Sequence, residues 1–254
     1  MRFSRRGQAT IWVLVALVIV VALAVLFFLR GGEGPKVDFQ QRFSPQGFLE
    51  RCVRENVEDV IEVMGPRGGF VAPQHSQMFD GQEVTYHCYT RGNYLPCVQQ
   101  HPMLLREMAV EIKNETFDEI QGCYGLLEQE VGKRQGSMET DVLDMNVALA
   151  RDRIIVELLG RTTISIEGGT VSFDSFEVEV MSPLTKLANV AMEIASQEAK
   201  YCYFSYDGYQ LLYPRFDIRK TVMGDDVRVY TIEDKPSKQK FSLAIRSCAI
   251  PPGI

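Results

Sequence analysis

The sequence predicts an α+β protein: an N-terminal transmembrane helix, then a two-helix region linked by a disulfide, then an antiparallel β-rich domain covered by one helix. Three observations carry this reading. An uncharged run, Ala9 to Leu29, lies near the start of the sequence; apolar residues then recur at helical spacing as far as residue 127; and from Asp141 onward they alternate as in a strand. The matching divisions are 1–30 for a cytoplasmic tip and span, 31–35 for a linker, 36–136 for a mainly helical region and 137–254 for the β-rich domain.

The run from Ala9 to Leu29 contains neither Pro nor Gly. At ~1.5 Å per residue, a helix of that length matches the ~30 Å hydrocarbon core of a bilayer. A cleavable secretory signal has an apolar stretch of only about 7–15 residues, followed by small residues at a polar boundary. Ala22-Leu23-Ala24 imitates that boundary, but "VLFFL" follows it and a cut there would fall inside the apolar run. Arg2, Arg5 and Arg6 precede the run, against Arg30 and Lys36 after it. The positive-inside tendency therefore places the N-terminus in the cytoplasm and residues 36–254 outside the membrane. "GGEGP" at 31–35 ends the helix, because Gly and Pro are poor helix formers.

Four of the 27 Lys and Arg residues, and none of the 33 acidic ones, lie in residues 1–30, so residues 31–254 carry ten more acidic than basic groups. That balance, with no basic cluster, argues against a nucleic-acid partner. All six cysteines, Cys52, Cys88, Cys97, Cys123, Cys202 and Cys248, follow the run. An even count in an oxidising compartment suggests disulfides, although buried free thiols remain the alternative.

In "SPQGFLERCVRENVEDVIEVMG", Ser44 is a candidate helix N-cap, Pro45 suits the first helical position and Gly65 ends the helix. Leu49, Val53, Val57, Val60 and Met64 form its stripe, with Cys52 beside it. Asp80-Gly81 marks a hairpin turn in the irregular stretch that follows. A second helix starts near Pro102, with Leu105, Met108, Ile112, Ile120, Cys123 and Leu127 on one face. The alternating sets Leu143-Met145-Val147-Leu149, Ile154-Val156-Leu158 and Phe176-Val178-Val180 then predict half-buried antiparallel strands. "SPLTKLANVAMEIASQEAK" interrupts them as a helix covering the apolar sheet face, and "VRVYTI" and "FSLAIRSC" are later strands.

The cysteines pair best as Cys52–Cys123 between two inward-facing helix positions, Cys88–Cys97 across a local loop, and Cys202–Cys248 from what remains. His87, Cys88, Cys97 and His101 form the one set resembling a metal site, but C-x8-C departs from the C-x2-4-C pairs of structural zinc. No metal or cofactor is therefore expected. "YCYFSYDGYQLLYPRF" holds five of the ten tyrosines and reads as a strand and turn packing its rings inward, with an aromatic surface for a glycan or protein partner as the alternative. Asn114-Glu115-Thr116 is an N-glycosylation sequon on the polar side of the second helix. Asp225-Asp226 reads as a solvated turn. No nucleophile elbow, phosphate loop or H-E-x-x-H is present, so no catalytic residue is assigned.

Arg6-Gly7-Gln8 resembles the class III leader of archaeal pilins, where a basic residue and Gly precede the Gln that begins the mature chain. A pilin carries Glu at the fifth mature position, where this chain has Trp12, and "GGEGP" interrupts the helix that a pilin continues into its head. The rest is similar to a group of single-pass, membrane-anchored surface proteins of DPANN archaea: a "GQ-x-T"-type start, the Cys-bearing "LERCVRENVEDVIEVMGPRGGF", a second Cys-bearing helix and a β-rich part with a "P-L"-led helix. The resemblance implies location and architecture, and neither activity nor cofactor. The expectation is a non-enzymatic envelope structural or interaction protein, held in the membrane by Ala9 to Leu29, with an envelope protein or glycan as partner. A pilin-like filament subunit ranks second, and a surface hydrolase or ligand-binding receptor third.

Overall fold

Leu49, Val53, Val57, Ile61 and Met64 line the buried face of the first helix, α1 (Pro45–Met64), in the computed structural model of the chain. The structure describes Val15 and residues 17–21, 43–141, 143–166 and 169–250. Two units are distinguished, Met1–Ser44 and Pro45–Ile254. In the first, Val15 and residues 17–21 are helical; the rest of Ala9 to Leu29, the pair Gly7-Gln8 and the linker at 31–35 lie outside the described residues. Among the described residues no helix is long and apolar enough to cross a membrane.

The second unit is α+β and has two sheets. Helix α2 (Leu104–Lys133) buries Leu104, Met108, Ile112, Thr116 and Ile120, then Cys123, Tyr124, Leu127 and Val131. Leu104 takes the inward place expected of Leu105, and Ile61 that of Val60, because both rows continue by steps of four. Cys52–Cys123 joins the two helices. They lie on a sheet built from β4 (Ser137–Thr140), β5 (Asp144–Leu149), β6 (Arg153–Ile166) and β7 (Gly169–Met181). Its strands β4 and β5 pair with successive halves of β6, whose other edge takes β7, all antiparallel. Three cross-strand rows, Met145–Leu158–Phe176, Val147–Val156–Val178 and Leu149–Ile154–Val180, make the apolar face. Complete burial of a Val, Leu or Ile contributes about 1.5–3 kcal/mol, so these rows and the helix stripes dominate this half of the core.

The other sheet has six strands in the order β1 (Ser76–Phe79), β2 (Gln82–Tyr89), β10 (Lys240–Arg246), β9 (Val227–Asp234) and β8 (Phe216–Val222), with β3 (Val98–Gln99) also on β2. Strands β2 and β10 are parallel; the other pairs are antiparallel. Helix α3 (Leu184–Tyr201) covers one face with Leu187, Ala191 and Ile194, and starts where the Ser182 hydroxyl accepts the Leu184 N–H at 3.1 Å. Val84, Tyr86, Val227, Val229 and Ala244 form a smaller cluster. Edge strand β8 is blunted by the short helix α4 (Tyr206–Leu212), whose Gln210 side chain donates to the Ile218 carbonyl at 3.2 Å and accepts its N–H at 3.1 Å.

Strands from both sides of residue 136 share this six-stranded sheet, so strand pairing joins the mainly helical stretch to the β-rich one. The turn after α1 helps to hold the halves together. The Gly65 carbonyl accepts the Ser242 N–H, and the Arg67 carbonyl accepts the Thr85 N–H. Gly68 (φ +86°) leaves no room for a Cβ, which would stand 2.9 Å from the Ser242 carbonyl oxygen.

Cys52–Cys123 closes a 71-residue separation, for which chain-entropy arguments give about 4 kcal/mol. The double variant Cys52→Ala/Cys123→Ala should accordingly unfold at clearly lower denaturant concentration. An unchanged midpoint would show that the helices need no covalent link.

Candidate functional site

Glu198 falls four residues after Ile194 on the inward stripe of α3, so the fold carries a carboxylate to full burial against the sheet. It is met there by β9, where Arg228 and Tyr230 share the face turned to α3. Arg228 donates to Glu198 Oε2 at 2.5 Å, and the Tyr230 hydroxyl donates to Oε1 at 2.5 Å. Arg228 also donates to the carbonyls of Cys202 and Ser247, each at 2.9 Å. The Ser247 hydroxyl donates to the Glu198 carbonyl and accepts the Cys97 N–H, both at 3.1 Å. Burial pushes the Tyr230 phenol far above its usual range, and its bond to Glu198 acts in the same direction. Removing Glu198 or Arg228 would leave the other charge buried without its partner.

What this network fixes is the chain reversal after α3. Cys202 adopts a left-handed conformation (φ 56°), held by its disulfide to Cys248 and by Arg228 on its carbonyl. Beyond it the chain turns out across β8 and forms α4. The tyrosine-rich segment is thus a reversal and a helix, and this corrects the strand expected there, whose rings would turn inward. Phe204 and Phe216 go into the core, Phe204 against Tyr209 and Tyr230. Tyr201, Tyr203 and Tyr213 are exposed, with Leu211 at 85% and Leu212 at 76%. Lys220 lies over the rings of Tyr203 and Tyr206, and Lys200 over that of Tyr201.

The other sequence candidates fall elsewhere. All six cysteines are paired, as Cys52–Cys123, Cys88–Cys97 and Cys202–Cys248. With Cys88 and Cys97 bonded to each other, His87 and His101 keep only ring contact at 5.5 Å, and no group of three metal-ligating side chains occurs among the described residues. His87 Nε2 lies 2.9 Å from the Gly68 carbonyl oxygen, and His101 Nδ1 lies 2.6 Å from Glu107 Oε2. Asn114 is exposed on α2, but the Thr116 hydroxyl is buried and donates to the Ile112 carbonyl at 2.7 Å, so sugar transfer there would have to precede folding. Gly7 and Gln8 lie outside the described residues. Asp225-Asp226 forms the solvated turn expected of it, and both carboxylates also bond there: Asp225 takes Arg246 in a two-pronged pair at 2.8 and 3.0 Å, which holds its carboxyl below the usual range, and Asp226 accepts the Ile250 N–H. A groove of about 450 Å³ has Glu58, Glu62, Lys238 and Lys240 in its walls, two charges of each sign, and favours no ligand charge.

The chain matches no protein-family model, no curated protein and no solved structure. Glu198, Arg228 and Tyr230 escape the sequence reading, although one signal was there to find: an acidic residue at a position that the helical period assigns to the core.

His87 generates a prediction with a definite sign. Complete burial lowers its pKa from 6.5 to about 3 and outweighs the Gly68 contact. The unfolded chain therefore binds a proton that the folded chain refuses between those values. Stability from this residue is fully present above about pH 6.5 and is lost as the pH falls towards 3. Denaturation curves across this window should show a shallower pH slope for His87→Gln, which retains a donor for the Gly68 carbonyl. Identical slopes would remove His87 as the cause.

Proposed function

We propose that this chain is a membrane-anchored, extracytoplasmic module of the cell envelope with a structural or interaction role and no catalytic activity. The observation that carries the reading is the pairing of all six cysteines on the C-terminal side of the apolar run, since disulfides persist in oxidising compartments. The arginines before Ala9 give the same orientation independently. A non-catalytic role is supported by what the buried titratable groups do: Glu198, Arg228 and Tyr230 satisfy one another, and Asp234 is taken up by Arg215 and Ser237. The exposed segment after Cys202 supplies a surface with which such a module meets a partner. The resemblance to single-pass surface proteins of DPANN archaea belongs to the same proposal.

Protease added to intact cells should remove residues following the span and leave a short membrane-embedded fragment. Digestion only after lysis would reverse the topology and sink the proposal. Electron microscopy of native membranes adds a second readout, because extended fibres containing this chain would favour the filament subunit.

A further inference from the structure

We propose that α4 and the tyrosines beside it form a contact with the bilayer surface, in which Leu211 and Leu212 enter the headgroup boundary. This inference rests on the anchored topology proposed above. None of the seven residues of α4 is buried, and its two adjacent leucines are among the most exposed large apolar side chains described. The residues around them have the chemistry of a membrane interface. Tyrosine places an apolar ring and a polar hydroxyl at headgroup level, and lysine is drawn to anionic headgroups. Lys200 and Lys220, far apart in sequence, gather here over tyrosine rings at 4.9, 5.7 and 5.3 Å. Asp207, in the first turn of α4, is the one carboxylate of that helix set against these two ammonium groups.

The tether argues for lipid as the occupant. Fifteen residues, 30–44, join the apolar run to α1. Fully extended they reach at most about 50 Å, so a body anchored by that run stays close to the surface and a weak contact becomes populated. A second copy is the poorer occupant. A two-fold contact sets the same patch against itself, bringing Lys200 and Lys220 towards their own equivalents, whereas an anionic surface complements them.

The chain contains a single tryptophan, Trp12, inside the apolar run. That permits a test on the full-length protein in vesicles of equal parts phosphatidylcholine and phosphatidylglycerol, with and without brominated acyl chains. In the double variant Trp12→Phe/Leu212→Trp, bromolipid should lower the emission of the indole at position 212 about twofold or more, since an interfacial helix sits roughly 5–10 Å into the boundary. Adding Lys200→Glu and Lys220→Glu should restore most of that emission. Emission unaffected by bromolipid and freely quenched by aqueous iodide overturns the contact. Protection from iodide that rises with protein density, without bromolipid quenching, assigns the patch to a second copy and also overturns it. The unaltered chain tells the two failures apart. Trp12 quenched while the indole at 212 is not refutes the surface contact alone, whereas Trp12 unquenched refutes the anchor and this inference with it.

Discussion

The buried pair between Glu198 and Arg228 is the constraint on which the rest of the Pro45–Ile254 unit depends. An arginine taken out of water costs several kcal/mol unless it is paired and its remaining donors are satisfied. Here three acceptors come from different elements: a carboxylate from α3, a carbonyl at the reversal of Cys202 and a carbonyl after β10. The geometry is available only when α3, β9 and the end of β10 are all in place. Tyr230 and Ser247 extend it, the latter reaching Cys97 and with it the loop closed by the Cys88–Cys97 disulfide. Apolar burial supplies most of the driving force, but it is non-directional. The polar network selects the single arrangement in which these segments meet.

That arrangement divides the Pro45–Ile254 unit into a held part and an exposed part. The sheet containing β9 and β10 is covered by α3 on one face, and its Arg246 fixes Asp225, Thr90 and Asn93 together. On the other sheet the long hairpin of β6 and β7 is held by rows of Val, Leu and Ile under α1 and α2, with a disulfide joining those helices. The segment from Cys202 to Tyr213 contributes only Phe204 to the core among its aromatics. It is nevertheless fixed at its start by a disulfide and a guanidinium, and beside β8 by Gln210. A rigidly presented apolar surface costs little entropy on binding, the condition under which a small patch is useful.

Much of this was legible in the sequence because it is local. The stripes of α1, α2 and α3 and the alternation in β5, β6 and β7 are periodic signals, and an element forms at each, although β6 runs on to Ile166 and β7 begins at Gly169, well beyond the alternation read from the sequence. The Asp80-Gly81 turn was legible for the same reason. What stayed hidden depends on distant partners. No local pattern announces that β2 lies parallel to β10, since Tyr86 and Ala244 are far apart in the chain. The spacing of Tyr201 and Tyr203 imitates a strand, but the left-handed Cys202 between them is imposed by Cys248 and Arg228. Asp225 is solvated as its sequence suggests, but no local pattern announces its pairing with Arg246. The three cysteine pairs were within reach because two helix faces, one short loop and a remainder leave few choices.

The central claim is that Glu198 and Arg228 act as one unit, and a double-mutant cycle tests it most directly. Denaturant unfolding of Glu198→Gln, Arg228→Met and the combined variant gives the coupling. Loss of either partner alone from a buried pair costs about 3–5 kcal/mol. The account predicts that the combined variant loses much less than the two single losses together. Additivity within about 0.5 kcal/mol, as for independent sites, would contradict it.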